Sequence, residues 1–476
     1  MTPSQRKVID NLRGKRIAVL GIGVSNLSVI PFLVSTGARV VACDAKPAAE
    51  LHAVLENLKG LPVEFHLGPS YLDDLESFDM MVVTPGMRRD LPQLVRARDR
   101  GVEETSELRL FFQLCPSRII GITGSDGKTT TTTITGLVFK AAGKDVFVGG
   151  NIGTPLLGRV FDMRPDSIAV LELSSFQLQQ LGMSPNIGVV LNVHPNHLDY
   201  HPTMEEYIEA KANIFLHQQP GDFAVLNADN RISREMVPRC PAGVVFFSRL
   251  SEVESGAFLR GDQIWLRLNG REEFVCSRED IQIPGDHNVE NILATTAIAG
   301  LEGISSSVLR NVIREFKGVE HRIELVGEVS GIRFYDDSIS TTPSRAIAGL
   351  RSFKQPIVLI AGGYDKHLPF DEFAEVAIER ARAIVLLGAT ASKIEEAVRA
   401  AGVRRGHMPM MIHAEGGLED AVNKAFDAAQ SGDVILLSPA CASFDMFRNY
   451  KERGLRFKEI VKDIIRRSGA DDSQAH

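Results

Sequence analysis

Short, uninterrupted apolar runs bounded by Gly, Asp or Ser recur along the chain. They are RIAVLGIG (16–23), RVVACD (39–44), MMVVTPG (80–86), IIGITGSDG (119–127), IAVLELSS (168–175), IGVVLNV (187–193), PIVLIAGG (356–363), AIVLLGA (383–389) and VILLSPA (434–440). These runs are rich in Val and Ile and do not alternate with polar residues, which is the pattern of strands buried on both faces of a parallel sheet. Helical stretches lie between many of them, so the chain predicts an α/β architecture. Residues 222–285 depart from this pattern. Their segments are shorter and more alternating (IWLRLNG, EEFVCS), which predicts an antiparallel piece. The tail SGADDSQAH carries no apolar period and is expected to be unstructured.

The runs fall into three blocks, 1–108, 109–318 and 319–476. That division suits 476 residues at roughly 100–200 residues per domain. The chain is 44% hydrophobic and 24% charged, the balance of a water-soluble globular protein. A net charge of −7 argues against general nucleic-acid or membrane binding, though not against an anion held in a local site. No apolar run approaches the ~18 residues that span a bilayer. The N-terminus has no apolar signal-peptide core. The five cysteines are scattered, odd in number and without CxxC spacing, which suggests a reducing compartment and no zinc site. A cytoplasmic location is therefore expected.

The strongest chemical signal is ITGSDGKTT (122–130). An apolar strand enters it and a Thr-rich helix start leaves it. Gly124 and Gly127 allow backbone N–H groups of this loop, in which Ser125 and Asp126 are also candidate ATP-binding residues, to turn toward an anion. Lys128 supplies a point charge for the outer phosphates of a triphosphate, and Thr129 and Thr130 open the helix. Ile122 stands where the general phosphate-loop pattern begins with glycine. A phosphate loop needs a carboxylate for Mg²⁺. Glu172 ends a buried strand, where open α/β sheets bind ligands, although a strand-end acid can also simply face water. His197, in NVHPNHLD, follows another strand and can ligate a metal or touch substrate.

Thr203 and Glu206 match a capping box. The helix after them is expected to put Met204, Tyr207, Ile208 and Phe215 on one stripe, with Lys211 among them. A lysine there either snorkels or has a chemical task. At the N-terminus, Gly21, Gly23, Ser25 and Asn26 follow a strand, and Asp44 ends the next one about twenty residues on, as in a dinucleotide fingerprint. Asn26 replaces the third glycine. The loop therefore suggests a nucleotide or diphosphate at a helix start, or else only a tight turn.

TGSDGKT, GGNIGTP (149–155), ELSSFQL (172–178), NVHPNHLD, AKANIF (210–215), GDHNVEN (285–291), EHRIE (320–324), DDSISTTP (336–343) and SPACASFDMF (438–447) occur in the order found in Mur ligases. The chain resembles that family over nearly its whole length. ELSSFQL and SPACASFD resemble the branch that adds D-glutamate. The resemblance implies an α/β fold of three domains. These are an N-terminal Rossmann-like domain holding a UDP-linked substrate, a central P-loop ATPase-type domain with a mostly parallel sheet, and a C-terminal Rossmann-like α/β domain receiving the amino acid. It implies ATP and Mg²⁺ as cofactors, UDP-N-acetylmuramoyl-L-alanine and D-glutamate as partners, and a monomer.

Residue by residue, the resemblance puts Lys128 and Thr129 on ATP phosphates and Mg²⁺. Glu172, with Ser174 nearby, and His197 become metal residues, and Lys211 matches a carbamylated lysine that holds a second Mg²⁺. Asn291, Arg322 and Asp337 match contacts to adenine and ribose. Ser25, Asn26, Asp44, Thr84 and Gly86 match the UDP site. Asn151 and His197 are placed toward the muramoyl-alanine part. Lys366, Ser443 and Tyr450 are placed on the D-glutamate carboxylates. There are three departures. Ile339 stands where some relatives carry Lys, Asn196 where Asp is common, and Tyr450 where some carry Phe.

Overall fold

The computed structural model describes residues 2–152, 155–195, 201–366 and 368–472. They form two compact units, one of residues 1–280 with 289–313, the other of residues 281–288 with 314–476.

The first unit holds two sheets. In the first sheet, β1 (Arg16–Leu20), β2 (Arg39–Asp44), β3 (Val63–Leu67), β4 (Met80–Val83) and β5 (Glu103–Thr105) lie in the order β3-β2-β1-β4-β5, all parallel. The second sheet has nine strands. They are β6 (Arg118–Thr123), β7 (Val146–Gly150), β8 (Ile168–Glu172), β9 (Ile187–Val190), β10 (Phe223–Asn227), β11 (Gly243–Ser248), β12 (Gly256–Arg260), β13 (Gln263–Leu268) and β14 (Arg271–Ser277). Their order is β14-β13-β12-β11-β10-β9-β6-β8-β7. It is parallel from β7 to β12, while β13 and β14 pair antiparallel. The alternating segments read from the sequence are thus the antiparallel hairpin at one end of a parallel sheet.

The apolar runs are central strands. Ile17, Ala18, Val19 and Leu20 are fully buried, as are Ile120, Ile122, Val189 and Val190. Burial of every residue, rather than every second one, is what a sheet covered on both faces requires. One apolar cluster runs from Ile17 and Val19 through Leu110 and Phe111 to Leu171 and Leu226, so the two sheets share a core.

The second unit contains β15 (Glu324–Val329), β16 (Ile332–Asp336), β17 (Ile357–Gly362), β18 (Ala381–Leu387), β19 (Met410–His413) and β20 (Val434–Leu437), in the order β15-β16-β20-β17-β18-β19. Only the β15–β16 pair is antiparallel. A 23-residue helix, Tyr450–Asp472, closes the described chain. Residues 468–472, expected to be unstructured, are the last turns of this helix. Residues 473–476 lie outside the described residues.

Each sheet has a point where the chain leaves in opposite directions. These lie between β1 and β4, at β6 between β8 and β9, and at β20 between β16 and β17. Open α/β sheets bind ligands beyond the carboxyl ends of such strands. Most of the residues singled out in the sequence follow these strands.

Candidate active site

The phosphate loop leaves β6 at Thr123 and enters the helix Lys128–Ala141. Gly127 caps that helix with φ +81°, and no side chain caps its first turn. A Cβ on Gly127 would lie 2.3 Å from Asn291 Oδ1, so packing and backbone both require glycine here. The first-turn N–H groups of Lys128, Thr129 and Thr130 and the positive end of the helix dipole form an anion-binding terminus. Lys128 Nζ donates to the carbonyls of Gly124 at 2.9 Å and Ser125 at 2.8 Å. Asp126 Oδ2 pairs with His194 Nε2 at 2.9 Å. Its backbone N–H donates to Asn192 Oδ1.

Glu172 ends β8 beside this loop and is buried. Thr129 Oγ1 donates to its Oε2 at 2.7 Å, and Asn151 Nδ2 donates to its Oε1 at 2.9 Å. Both carboxylate oxygens therefore have neutral donors. Ser174 has a local role, since it forms a reciprocal capping box with Gln177 at the start of the helix Ser175–Gln179.

Lys211 lies on the helix Met204–Ala212 and is 1% exposed. It does not snorkel. Its Nζ donates to Gly124 O at 2.8 Å and to Thr123 Oγ1 at 3.4 Å, and sits 4.6 Å from the centre of the Tyr207 ring. Burial, followed by the charge of Lys128, holds its amine well below the usual lysine range, and Asp126 opposes them. Tyr207 OH shares a hydrogen bond of 3.1 Å with Ser125 Oγ, which also donates to His194 O. The lysine helix and the phosphate loop are thus joined at two points. Two expectations about this helix change. It ends at Ala212, so Phe215 is buried beyond it rather than on its stripe. Thr203 Oγ1 accepts the Glu206 N–H, but Glu206 accepts from Gln179 Nε2 instead of turning back to Thr203. His197 falls in 196–200, outside the described residues.

At the first sheet, a Cβ on Gly21 (φ +82°) would lie 2.9 Å from Thr84 Cγ2. The glycine loop and the Thr84–Gly86 turn therefore meet at the switch point. Asp44 Oδ2 accepts the Ile22 N–H at 2.8 Å and Oδ1 accepts the Lys46 N–H at 3.0 Å, so this carboxylate braces the loop. Asn26, in the place of the third glycine, is fully buried and donates to Leu20 O at 2.9 Å. Its Oδ1 has no hydrogen-bond partner among the described residues. Ser25 lies in the four-residue helix Val24–Leu27. Asn151 belongs to the edge of the second sheet, where it holds Glu172.

The nucleotide candidates divide between the units. Asn291, in the first, accepts from Thr131 Oγ1 at 3.2 Å on the phosphate-loop helix. Asp337, in the second, follows β16 and accepts from Ser438 Oγ at 2.7 Å. Burial pushes its carboxyl up to about 6, against hydrogen bonds from Ser340 and Ser438 and the charge of Arg322. Lys366 Nζ reaches Thr341 O at 3.3 Å. Ser443 is buried after β20, and Tyr450 opens the last helix with its ring edge-on to His321, 6.0 Å between centres.

Several partners went unread in the sequence. His321 Nδ1 and Asp336 Oδ2 lie 2.7 Å apart, and both side chains are buried. Arg453, 1% exposed, bonds Ser338 and the Cys441–Ala442 backbone. Arg453 lies three residues after Tyr450 in a segment of mixed charge. Among the described residues, no helix is long and apolar enough to cross a membrane.

Three family models match in succession. They are the Mur ligase MurD-like N-terminal domain over residues 15–106, the Mur ligase middle domain over 122–299, and the Mur ligase glutamate ligase domain over 321–441. The UDP-N-acetylmuramoylalanine–D-glutamate ligase of Acetivibrio thermocellus is 48% identical over 454 residues, covering 95% of this chain and 97% of that protein. The protein of the same name from Symbiobacterium thermophilum is 46% identical, with 94% and 98% covered. Among solved structures, the UDP-N-acetylmuramate–alanine ligase MurC of Thermotoga maritima matches with a TM-score of 0.57 at 22% identity, covering 94% of this chain and 99% of that one. The MurF ligase of Thermotoga maritima in complex with ADP matches with a TM-score of 0.55 at 18% identity, covering 96% and 97%. These two likenesses concern the fold.

Proposed function

This chain belongs to the Mur ligase family, and from that premise we propose that it joins D-glutamate to UDP-N-acetylmuramoyl-L-alanine. It is an ATP-dependent ligase that forms an amide bond in the synthesis of peptidoglycan precursors. The observation that carries the residue assignment is the convergence of Lys128, Thr129, Glu172 and Lys211 on the carboxyl edge of β6 and β8.

In this reading the alanine carboxylate attacks the γ-phosphorus of ATP and ADP leaves. The resulting acyl phosphate is attacked by the D-glutamate amine. The tetrahedral intermediate collapses as phosphate leaves and the amine sheds its proton. The amides at Gly127, Lys128, Thr129 and Thr130, with that at Gly124, hold the triphosphate; the Ser125 and Asp126 N–H groups, expected to join them, donate to Asn192 O and Oδ1 instead and would have to leave these acceptors to do so. Lys128 exchanges its two carbonyl acceptors for phosphate oxygens. Bringing two anions together is the main obstacle, and fixed donors lower it without reorganisation.

Thr129, Glu172 and a carbamylated Lys211 offer a hydroxyl and carboxylate oxygens, a hard donor set that fits Mg²⁺, with His197 as a further candidate. When bound, that ion would neutralise charge shared between phosphate and carboxylate oxygens. The buried state of Lys211 supports carbamylation. An amine held below its usual range is neutral more often, and its nitrogen can attack CO₂, losing a proton and gaining a carboxylate.

Asn291, Arg322 and Asp337 are assigned to adenine and ribose. Ser25, Asn26, Asp44, Thr84 and Gly86 are assigned to the UDP group, and Asn151 to the muramoyl-alanine part. Lys366, Ser443 and Tyr450 are assigned to the two D-glutamate carboxylates, where a cation and hydroxyl donors suit a dicarboxylate. The enzyme acts as a cytoplasmic monomer. The test is ADP release with Mg-ATP, UDP-N-acetylmuramoyl-L-alanine and D-glutamate together, each then omitted, and L-glutamate exchanged for D. Release is expected only with the full set containing D-glutamate. Equal release without either acceptor would reject the assignment.

A further inference from the structure

Among the described residues the largest fully buried side chain is Arg453. A guanidinium is costly to remove from water, and the usual compensation is a carboxylate. Among the described residues no carboxylate oxygen bonds this one. Nε donates to Ser338 Oγ at 2.9 Å, Nη2 to Ser338 O at 2.9 Å and Cys441 O at 3.1 Å, and Nη1 to Ala442 O at 3.3 Å. The planar fork therefore spans two loops more than a hundred residues apart in sequence, one after β16 and one after β20.

Both loops, and a third, carry residues assigned to ligands. Ser338 directly follows Asp337. Ala442 directly precedes Ser443. The Ala442 carbonyl also accepts the Tyr364 N–H at 2.9 Å, which ties in the segment leading to Lys366. Ser338 Oγ passes the chain on by donating to Tyr450 O at 2.8 Å. The turn bearing Arg453 fits closely. A Cβ on the adjacent Gly454 would lie 2.1 Å from His321 Nδ1 and 2.6 Å from Asp336 Oδ2, and Asp336 Oδ1 accepts the Ser338 N–H.

We propose that Arg453 is a positioning residue that fixes the loops carrying Asp337, Lys366, Ser443 and Tyr450 in one register, so that the amino-acid and nucleotide contacts of this unit are set together. Lysine cannot replace it, because one ammonium cannot reach three carbonyls and a hydroxyl in a plane. Burial lowers its pKa only to about 10, so the fork stays charged at neutral pH.

The inference rests on the ligand assignments above. Steady-state kinetics of Arg453→Lys and Ser338→Ala test it, with melting measured alongside. The KM for D-glutamate and the KM for ATP are expected to rise together, on the order of tenfold in Arg453→Lys. The rise should be smaller in Ser338→Ala, which removes the hydroxyl bonded to Arg453 and Tyr450 but keeps the three carbonyl acceptors. The KM for the UDP substrate should stay near the wild-type value. A lower melting temperature with all three KM values unchanged, or all three raised alike, would overturn the proposal. If Arg453→Lys does not fold, Ser338→Ala decides by the same pattern. Should the wild-type enzyme release ADP without D-glutamate, the ligase reading fails. Should it require D-glutamate while both variants keep their KM values, only this inference fails.

Discussion

At the carboxyl edge of the second sheet the buried cation is Lys211, and at that of the third it is Arg453. Each is 1% exposed, and each donates to backbone carbonyls rather than to a carboxylate. The same burial drives their chemistry apart. The lysine amine falls well below its usual range, as the nucleophile proposed for it requires, while the guanidinium drops only to about 10 and remains a fixed charge. The lysine has one carbonyl contact and one long hydroxyl contact, whereas the arginine has four contacts across two loops. A buried lysine can thus be a reactive group at little structural cost, and a buried arginine a structural tie without reactivity.

Exchanging the roles is the sharpest way to break this comparison. Lys211→Arg keeps a cation but cannot form a carbamate, and turnover is expected to fall on the order of 10²–10³-fold with unchanged circular dichroism. In Lys211→Ala a small carboxylic acid should restore part of the activity and bicarbonate should not. Near-normal turnover in Lys211→Arg would remove the reactive role. Lys128→Ala should lose a similar factor, since its charge cannot be supplied by Lys211 if that amine is neutral or carbamylated. Arg453→Met should lower stability as well as raise the two KM values named above. It leaves Ser338, Cys441 and Ala442 oxygens without this donor, a loss of about 3 kcal/mol by urea unfolding.

A buried acid extends the comparison to the opposite charge. Glu107 has one backbone donor, Leu157 N at 3.1 Å, and burial raises its carboxyl from 4.5 to about 7. The folded state therefore holds more protons than the unfolded state between these values, so stability falls as pH rises through that window and levels off above it. The fall approaches about 3 kcal/mol. Glu107→Gln should remove this slope between pH 4.5 and 7.5, and an unchanged slope would show that another group carries it. The smallest effect is expected from Tyr207→Phe. It deletes the hydroxyl bonded to Ser125 but keeps the ring beside Lys211, at a cost of about 1 kcal/mol.

The contrast also shows what a sequence exposes. The phosphate loop is contiguous, its strand is an unbroken apolar run, and Lys211 stands out because a charge interrupts an apolar stripe. The parallel sheets and the antiparallel hairpin were legible for the same reason, since period and burial are local properties. Arg453 was not legible. Four of the eight residues in YKERGLRF are charged, so nothing marks Arg453 as buried, and its partners Ser338 and Cys441 lie 115 and 12 residues away. The His321–Asp336 pair, the Asn151 bond to Glu172 and the burial of Glu107 were hidden in the same way. Each depends on which strand ends become neighbours, and a one-dimensional pattern does not contain that.

The central claim is that burial beside the phosphate loop makes Lys211 a carbon dioxide acceptor while leaving Arg453 unmodified. Carbon-13 NMR of the enzyme equilibrated with labelled bicarbonate measures this directly. The account predicts one carbamate carbon signal in the wild type and in Arg453→Lys, lost in Lys211→Ala. A wild-type spectrum without that signal, or a signal that survives Lys211→Ala, would contradict it.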